Sequence, residues 1–105
     1  MDTGRIQING ARQRYSAKNF SIPVNFVFRA PSAKKVAVVG DFNGWRKEAH
    51  PMKRRADGSW GAQILLAHGH HQYLFWVDGQ HLLDPRAQGV GRNSQNEKVS
   101  LLAVS

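Results

Sequence analysis

Cysteine is absent from this chain of 105 residues. That excludes disulfide staples and thiolate metal ligands, and it fits a reducing compartment. Acidic residues are scarce: 7 Asp and Glu stand against 15 Lys and Arg, a formal net charge of +8. No apolar run approaches the length of a membrane span, and the opening Met1-Asp2-Thr3-Gly4-Arg5 has no apolar core of the kind a secretory leader needs. A cytoplasmic protein with no membrane partner is the expectation. The chain is also too short for an (α/β) barrel of roughly 250 residues, and it shows no helical pattern, internal repeat or second domain. What remains is one small domain, 41% hydrophobic. Its core is modest, because short chains bury a smaller share of their surface.

The excess of cations could attract nucleic acid through long-range electrostatics. Their distribution argues for simple solvation instead. Arg5, Arg12, Arg14 and Lys18 are spread over a polar arm, Lys34-Lys35 flank a turn, and Lys53-Arg54-Arg55 sit in a loop. None is interleaved with the aromatics that a single-strand platform requires. Nucleic acid is not an expected partner.

Residues 1–21 are polar and lack sustained periodicity, which predicts a flexible basic arm. From Pro23 onward the pattern changes. Val24, Phe26 and Phe28 alternate with Asn25, Val27 and Arg29, the period of a strand with one buried face. A second strand covers residues 35–39, followed by a long loop over 41–57. Asp57-Gly58 turns the chain into a strand over 59–66 with Trp60, Ala62, Ile64 and Leu66 on one face. Tyr73, Phe75 and Val77 face inward on the next strand, Asp78-Gly79 signals a tight hairpin, and residues 81–83 form a short strand. Residues 86–98 read as an irregular loop and 99–104 as the last strand. About seven strands joined in this way predict an all-β, immunoglobulin-like antiparallel sandwich over residues 22–105.

The most informative stretch is Gly40-Asp41-Phe42-Asn43-Gly44-Trp45, a glycine-flanked turn that ends on a large aromatic. Val24-Asn25-Phe26-Val27-Phe28-Arg29-Ala30-Pro31 precede it; the strand from Tyr73 to Gly79 and then Asp84-Pro85 follow. In this order and spacing they resemble carbohydrate-binding module family 48. That family includes the early-set domain beside the catalytic barrel of isoamylases and glycogen-branching enzymes. It also includes the glycogen-binding domain of the AMP-activated protein kinase β subunit. The resemblance implies an early-set sandwich and a non-catalytic module without a cofactor. Its ligand would be an α-glucan or maltooligosaccharide, and its partner a glycogen-metabolising enzyme or regulatory protein.

A pyranose ring offers an apolar face of C–H groups to a flat aromatic, and nearby amides or charges then bond its hydroxyls. Trp45 suits that role, and the resemblance makes it the principal stacking residue. The rest of the family site is altered. His81 stands where the kinase module has its second stacking tryptophan, Leu74 where it has a lysine, and Val99 near its asparagine, with Asn96 close enough to substitute. Trp76 points away from the core by alternation and either extends the groove or packs beneath the loop over 86–98. The expected carbohydrate site is therefore Trp45 and His81, with Trp76 and Asn96 as extensions, binding weakly. The alternative is a protein-interaction early-set domain that has lost its sugar.

No metal site is expected. His68, His70 and His71 crowd one turn, but zinc ligands converge from two segments, and a β-turn splays His70 and His71 to opposite sides. Nor is an enzyme expected. Asp41, Asp78 and Asp84 could form a glycosidase pair, yet each sits in a turn where capping backbone N–H groups is the ordinary role.

Overall fold

The computed structural model describes residues 21–105. The flexible arm expected over residues 1–21 lies outside the described residues, apart from Ser21. Eight strands are present: β1 (Ser21–Arg29), β2 (Val36–Gly40), β3 (Lys53–Arg54), β4 (Ser59–Ala67), β5 (Gly69–Val77), β6 (Gln80–Leu82), β7 (Gly89–Arg92) and β8 (Lys98–Val104). β1, β4 and β3 form a three-stranded sheet in that order. β2, β5, β8 and β7 form the second sheet, to which β6 adds by pairing with β5. All pairings are antiparallel. The described residues contain no helix, hence none long and apolar enough to cross a membrane.

The core lies between the two sheets, and the period-2 pattern of the sequence places it there. β1 and β4 pair with Phe26 opposite Ala62, Phe28 opposite Trp60 and Val24 opposite Ile64, so one face of this sheet is apolar throughout. From the other sheet come Val36, Val38, Tyr73, Phe75 and Val104, all buried. Aromatic rings join the layers: Phe26 meets Tyr73 edge-on at 5.1 Å and Phe28 meets Phe75 at 4.7 Å. Both offset and edge-to-face arrangements suit the ring quadrupoles. The Trp60 indole satisfies its N–H on the Ala30 carbonyl at 2.9 Å.

The turns also follow the sequence. β5 and β6 are joined by Asp78 and Gly79, both at positive φ (46° and 94°), the type I′ geometry whose twist matches a two-residue hairpin. The Asp78 carboxylate accepts the backbone N–H groups of Lys34 and Lys35. Those bonds, Lys35 first, hold its pKa below the usual carboxylate range and tie the hairpin tip to the β1–β2 turn.

Two strands depart from the sequence reading. β3 lies within the expected loop over 41–57, and β7 within the expected irregular loop over 86–98. β3 is two exposed cationic residues at a sheet edge, where charge is favoured because it discourages pairing with another chain. β7 reads Gly-Val-Gly-Arg, a poor strand former. It forms because β8 offers an unpaired edge and Leu101 fills the space beside Gly89 and Gly91: a Cβ at Gly91 would stand 3.1 Å from the Leu101 side chain.

Candidate carbohydrate-binding groove

The loop after β2 is built by division of labour within the six-residue motif. Gly40 ends β2 where a side chain would meet the Phe42 ring at 2.5 Å and the Gln72 carbonyl at 2.7 Å. Its own carbonyl accepts the N–H groups of Asn43 and Trp45 at 3.1 and 2.9 Å, closing the turn. Phe42 turns inward onto Phe26 and stands edge-on to His50 and His71. Asp41 accepts the Gln72 N–H at 3.0 Å with one carboxylate oxygen and faces His71 Nδ1 at 3.3 Å with the other. The loop is thereby fastened to β5.

Asn43 is the pin. Its buried amide accepts the Gly40 N–H at 3.0 Å through Oδ1 and donates to the Val38 carbonyl at 2.9 Å through Nδ2. These two bonds fix the amide's orientation, so its remaining hydrogen points at His50 Nδ1, 2.9 Å away, which accepts through its lone pair. Farther along the same edge, Val38 N–H donates to the His50 carbonyl and Met52 N–H to the Val36 carbonyl. The Asn43 side chain thus completes the covering of the β2 edge that the backbone of residues 50–52 begins, leaving no open strand edge there.

With the loop pinned, Gly44 and Trp45 are both left-handed, at φ 68° and 61°. Glycine adopts that conformation freely, whereas for an L side chain it costs about 1–2 kcal/mol. Trp45 is 37% exposed, the most exposed of the three tryptophans. A strained backbone and a partly open aromatic ring thus coincide at Trp45.

Trp45 forms one side of a groove of about 890 Å3 on the outer face of the five-stranded sheet. Gln72 and Leu74 of β5, His81 of β6 and Leu83 supply the floor. The opposite side is the β7–β8 connection, through Arg92, Asn93, Gln95, Glu97 and Lys98. Asn93 organises that connection: its Oδ1 accepts the N–H groups of Gln95 and Glu97, both at 2.9 Å, and its Nδ2 donates to the Glu97 carboxylate. The groove therefore combines one flat aromatic, an apolar floor and a rim of amides and charges. That set can lie against a sugar face and exchange hydrogen bonds with its hydroxyls.

Of the residues singled out from the sequence, Trp45 and His81 line this groove together. Trp76 shares the sheet face and is paired with His81 across the β5–β6 hairpin. It lies, however, in a neighbouring hollow, with Lys47 Nζ over its ring at 5.0 Å from the centroid. Asn96 does not line the groove. It is the left-handed residue of the turn at φ 64°, its carbonyl held by Arg92, and Asn93 takes the place at the rim. Alternation puts Leu74 on the outer face with Trp76, as found, and the same period extends to Gln72. The rim residues carried no sequence signal, because they reach the groove only through a hairpin that the sequence did not show.

The three candidate carboxylates are engaged structurally. Asp84 accepts the Tyr73 hydroxyl at 2.5 Å and the Arg86 N–H at 2.8 Å. Burial, and then that bond, raise the Tyr73 pKa far above its ordinary value, so Tyr73 remains a donor at any physiological pH. Asp41 and Asp78 accept backbone N–H groups from distant segments rather than local ones. His70 is exposed, whereas His71 is partly buried and sits between Asp41 and the Ala67 carbonyl.

A β-sandwich with a strained, pinned tryptophan beside an amide-rimmed groove has the build of a binding module, and comparison with known proteins gives its family. The family described as the glycogen recognition site of AMP-activated protein kinase matches residues 22–105. The chain belongs to this family, carbohydrate-binding module family 48, whose domain is non-catalytic in itself. Among its relatives, a 1,4-alpha-glucan branching enzyme of Xanthomonas campestris pv. campestris (strain 8004) is 40% identical over 75 residues, 69% of this chain and 10% of that protein. Another, from Bradyrhizobium sp. (strain ORS 278), is 44% identical over 62 residues, 56% of this chain and 9% of that protein. One from Nitrobacter winogradskyi is 46% identical over 55 residues, 52% of this chain and 8% of that protein. The chain spans about a tenth of the length of these relatives.

Proposed function

We propose that this chain binds α-glucan non-catalytically, stacking one glucose ring on Trp45 while His81 and the rim amides bond its hydroxyls over the Leu74 floor. The observation that carries this reading is the pinned, left-handed presentation of Trp45 at the side of the groove. Trp76 and Asn96 are left out of the proposed sugar site. The hollow around Trp76 has no amide or hydroxyl side chain in its lining, and Asn96 is turned to a backbone role.

One aromatic platform contributes on the order of 1–3 kcal/mol, by analogy with base stacking. A millimolar dissociation constant corresponds to about 4 kcal/mol. Binding to short maltooligosaccharides is accordingly weak. By analogy with its relatives, the module serves a glycogen-metabolising or regulatory protein. A reducing, cytoplasmic setting belongs to the same proposal and rests on the absence of cysteine. The second reading, an interaction domain without sugar, is supported by Leu74 and His81 standing where the family's lysine and second tryptophan would be.

Affinity electrophoresis in glycogen, with an unrelated polysaccharide as control, separates the two. Retardation in glycogen alone is expected, with its loss in Trp45→Ala and its increase in His81→Trp. Unretarded wild-type protein that also gives no fluorescence response to maltoheptaose overturns the sugar reading.

A further inference from the structure

The hollow around Trp76 differs in chemistry from the groove it adjoins. Its volume is about 450 Å3. Trp76, Ala37, Pro51 and Met52 give it an apolar lining, and Lys34, Lys35 and Lys47 rim it with a single acid, Glu48. Arg54, stacked on Trp60 at 5.1 Å and donating to the Ala33 carbonyl, adds a cation behind Lys34. Among the described residues, no carboxylate forms an ion pair with any of these cations, and Asp78, which feels the charges of Lys34 and Arg54, is bonded to the Lys34 and Lys35 backbone instead.

Three ligand chemistries can be weighed against this lining. A neutral sugar gains nothing from a net charge, and the hollow offers it no amide or hydroxyl side chain, only three lysines and one glutamate. A lone phosphate is held best by arginine forks or by backbone N–H groups. The backbone N–H groups of Lys34 and Lys35 already donate to Asp78, and the Arg54 guanidinium is already stacked on Trp60 and bonded to the Ala33 carbonyl. An acidic peptide with one apolar side chain fits both parts. Its anchor enters between Trp76 and the adaptable Met52 thioether, and its carboxylates meet the lysine rim. The β2 edge beside the hollow is already covered by residues 50–52 and by Asn43, so the peptide docks through side chains rather than by adding a strand.

We propose that this hollow is a docking site for an acidic segment of a partner protein carrying a single aromatic or large aliphatic anchor. In the absence of partner, Lys47 lies over the Trp76 ring and withdraws to a carboxylate when the anchor enters. Because the hollow and the groove are separate, partner and glucan occupy the same sheet face without sharing a residue.

The test is a 1H–15N titration of the full chain with a short peptide in which one phenylalanine is flanked on both sides by glutamates. The same peptide with alanine in place of phenylalanine, inorganic phosphate and glucose 6-phosphate are run in parallel. The phenylalanine peptide is expected to shift the Trp76 indole N–H and the amides of Lys34, Ala37 and Lys47 saturably at low salt, leaving the Trp45 indole unmoved. Added salt weakens the response. Trp76→Ala lowers the affinity about tenfold or more, as for an anchor residue. The exposed pair Lys34→Glu and Lys35→Glu, which keeps both backbone donors to Asp78, abolishes the response and leaves glycogen retardation unchanged. Equal affinity for the alanine peptide overturns the proposal in favour of charge alone. Equal response to either phosphate compound overturns it in favour of a small-anion site, and the absence of any shift overturns it outright. Since glycogen retardation is read separately, failure here leaves the sugar reading standing.

Discussion

The two sides of the groove are held by different means. The Trp45 side is pinned from within the fold: Asn43 is buried and bonds two backbone groups of β2. The opposite side is held by Asn93, a partly exposed residue that bonds only within its own hairpin turn. On the proposed sugar reading, the difference separates a rigid platform from an adjustable clasp. Stacking needs a ring fixed in advance, since ordering it on binding would consume the small energy that one platform yields. Hydroxyl contacts tolerate adjustment, and several long polar side chains on a turn can provide them.

Removing the pin should have the largest effect. Asn43→Ala leaves the Gly40 N–H and the Val38 carbonyl without these partners at a buried edge, each such loss costing about 1–3 kcal/mol. A fall of roughly 3 kcal/mol in unfolding free energy is expected from urea denaturation, together with loss of glycogen retardation. A variant that keeps both would show that the loop is held by Phe42 packing instead.

The platform itself comes next. Trp45→Ala and Trp45→Gly should both lose retardation, but the glycine variant should be the more stable of the two by about 1 kcal/mol, because alanine keeps the left-handed strain and glycine does not. Equal stabilities would mean that the loop relaxes to negative φ once the indole is gone.

On the clasp side, Asn93→Ala should cost about 1 kcal/mol, the ordinary worth of a turn-forming side chain bonded to backbone. It should weaken retardation without abolishing it. Loss as complete as that of Trp45→Ala would erase the distinction between platform and clasp. The smallest change is Asn96→Gly. The position is already left-handed and its side chain is away from the groove, so stability should move by less than about 0.5 kcal/mol and retardation should stay the same. A clear loss of retardation would return Asn96 to the sugar site.

The strongest sequence signals were those whose physics is local. Alternation in residues 24–29 and 59–66 places Phe26, Trp60 and Ile64 in the core, because a strand has only two faces and one of them must leave water. Asp78-Gly79 specifies its hairpin because few residues accept two positive φ angles in succession. The motif from Gly40 to Trp45 was legible as a unit, although the separate tasks of its members were not. That Asn43 completes a strand edge follows only from where Val38, His50 and Met52 come to lie.

β7 escaped notice for a related reason. Gly-Val-Gly-Arg has no strand propensity of its own, and its pairing comes from the exposed edge of β8 and the Leu101 side chain over two glycines. With β7 unseen, Arg92 and Asn93 could not be placed beside Trp45, some 47 residues earlier in the chain. The sequence by itself determined the fold class, the buried faces and the glycine-flanked turn that ends on Trp45, since these rest on periodicity and on residues adjacent in the chain. The tertiary structure decided which polar residues face the platform, and that the groove and the lysine-rimmed hollow are separate. Both depend on which strand edges meet, and edge pairing is set by the packing of the whole sandwich rather than by any one segment.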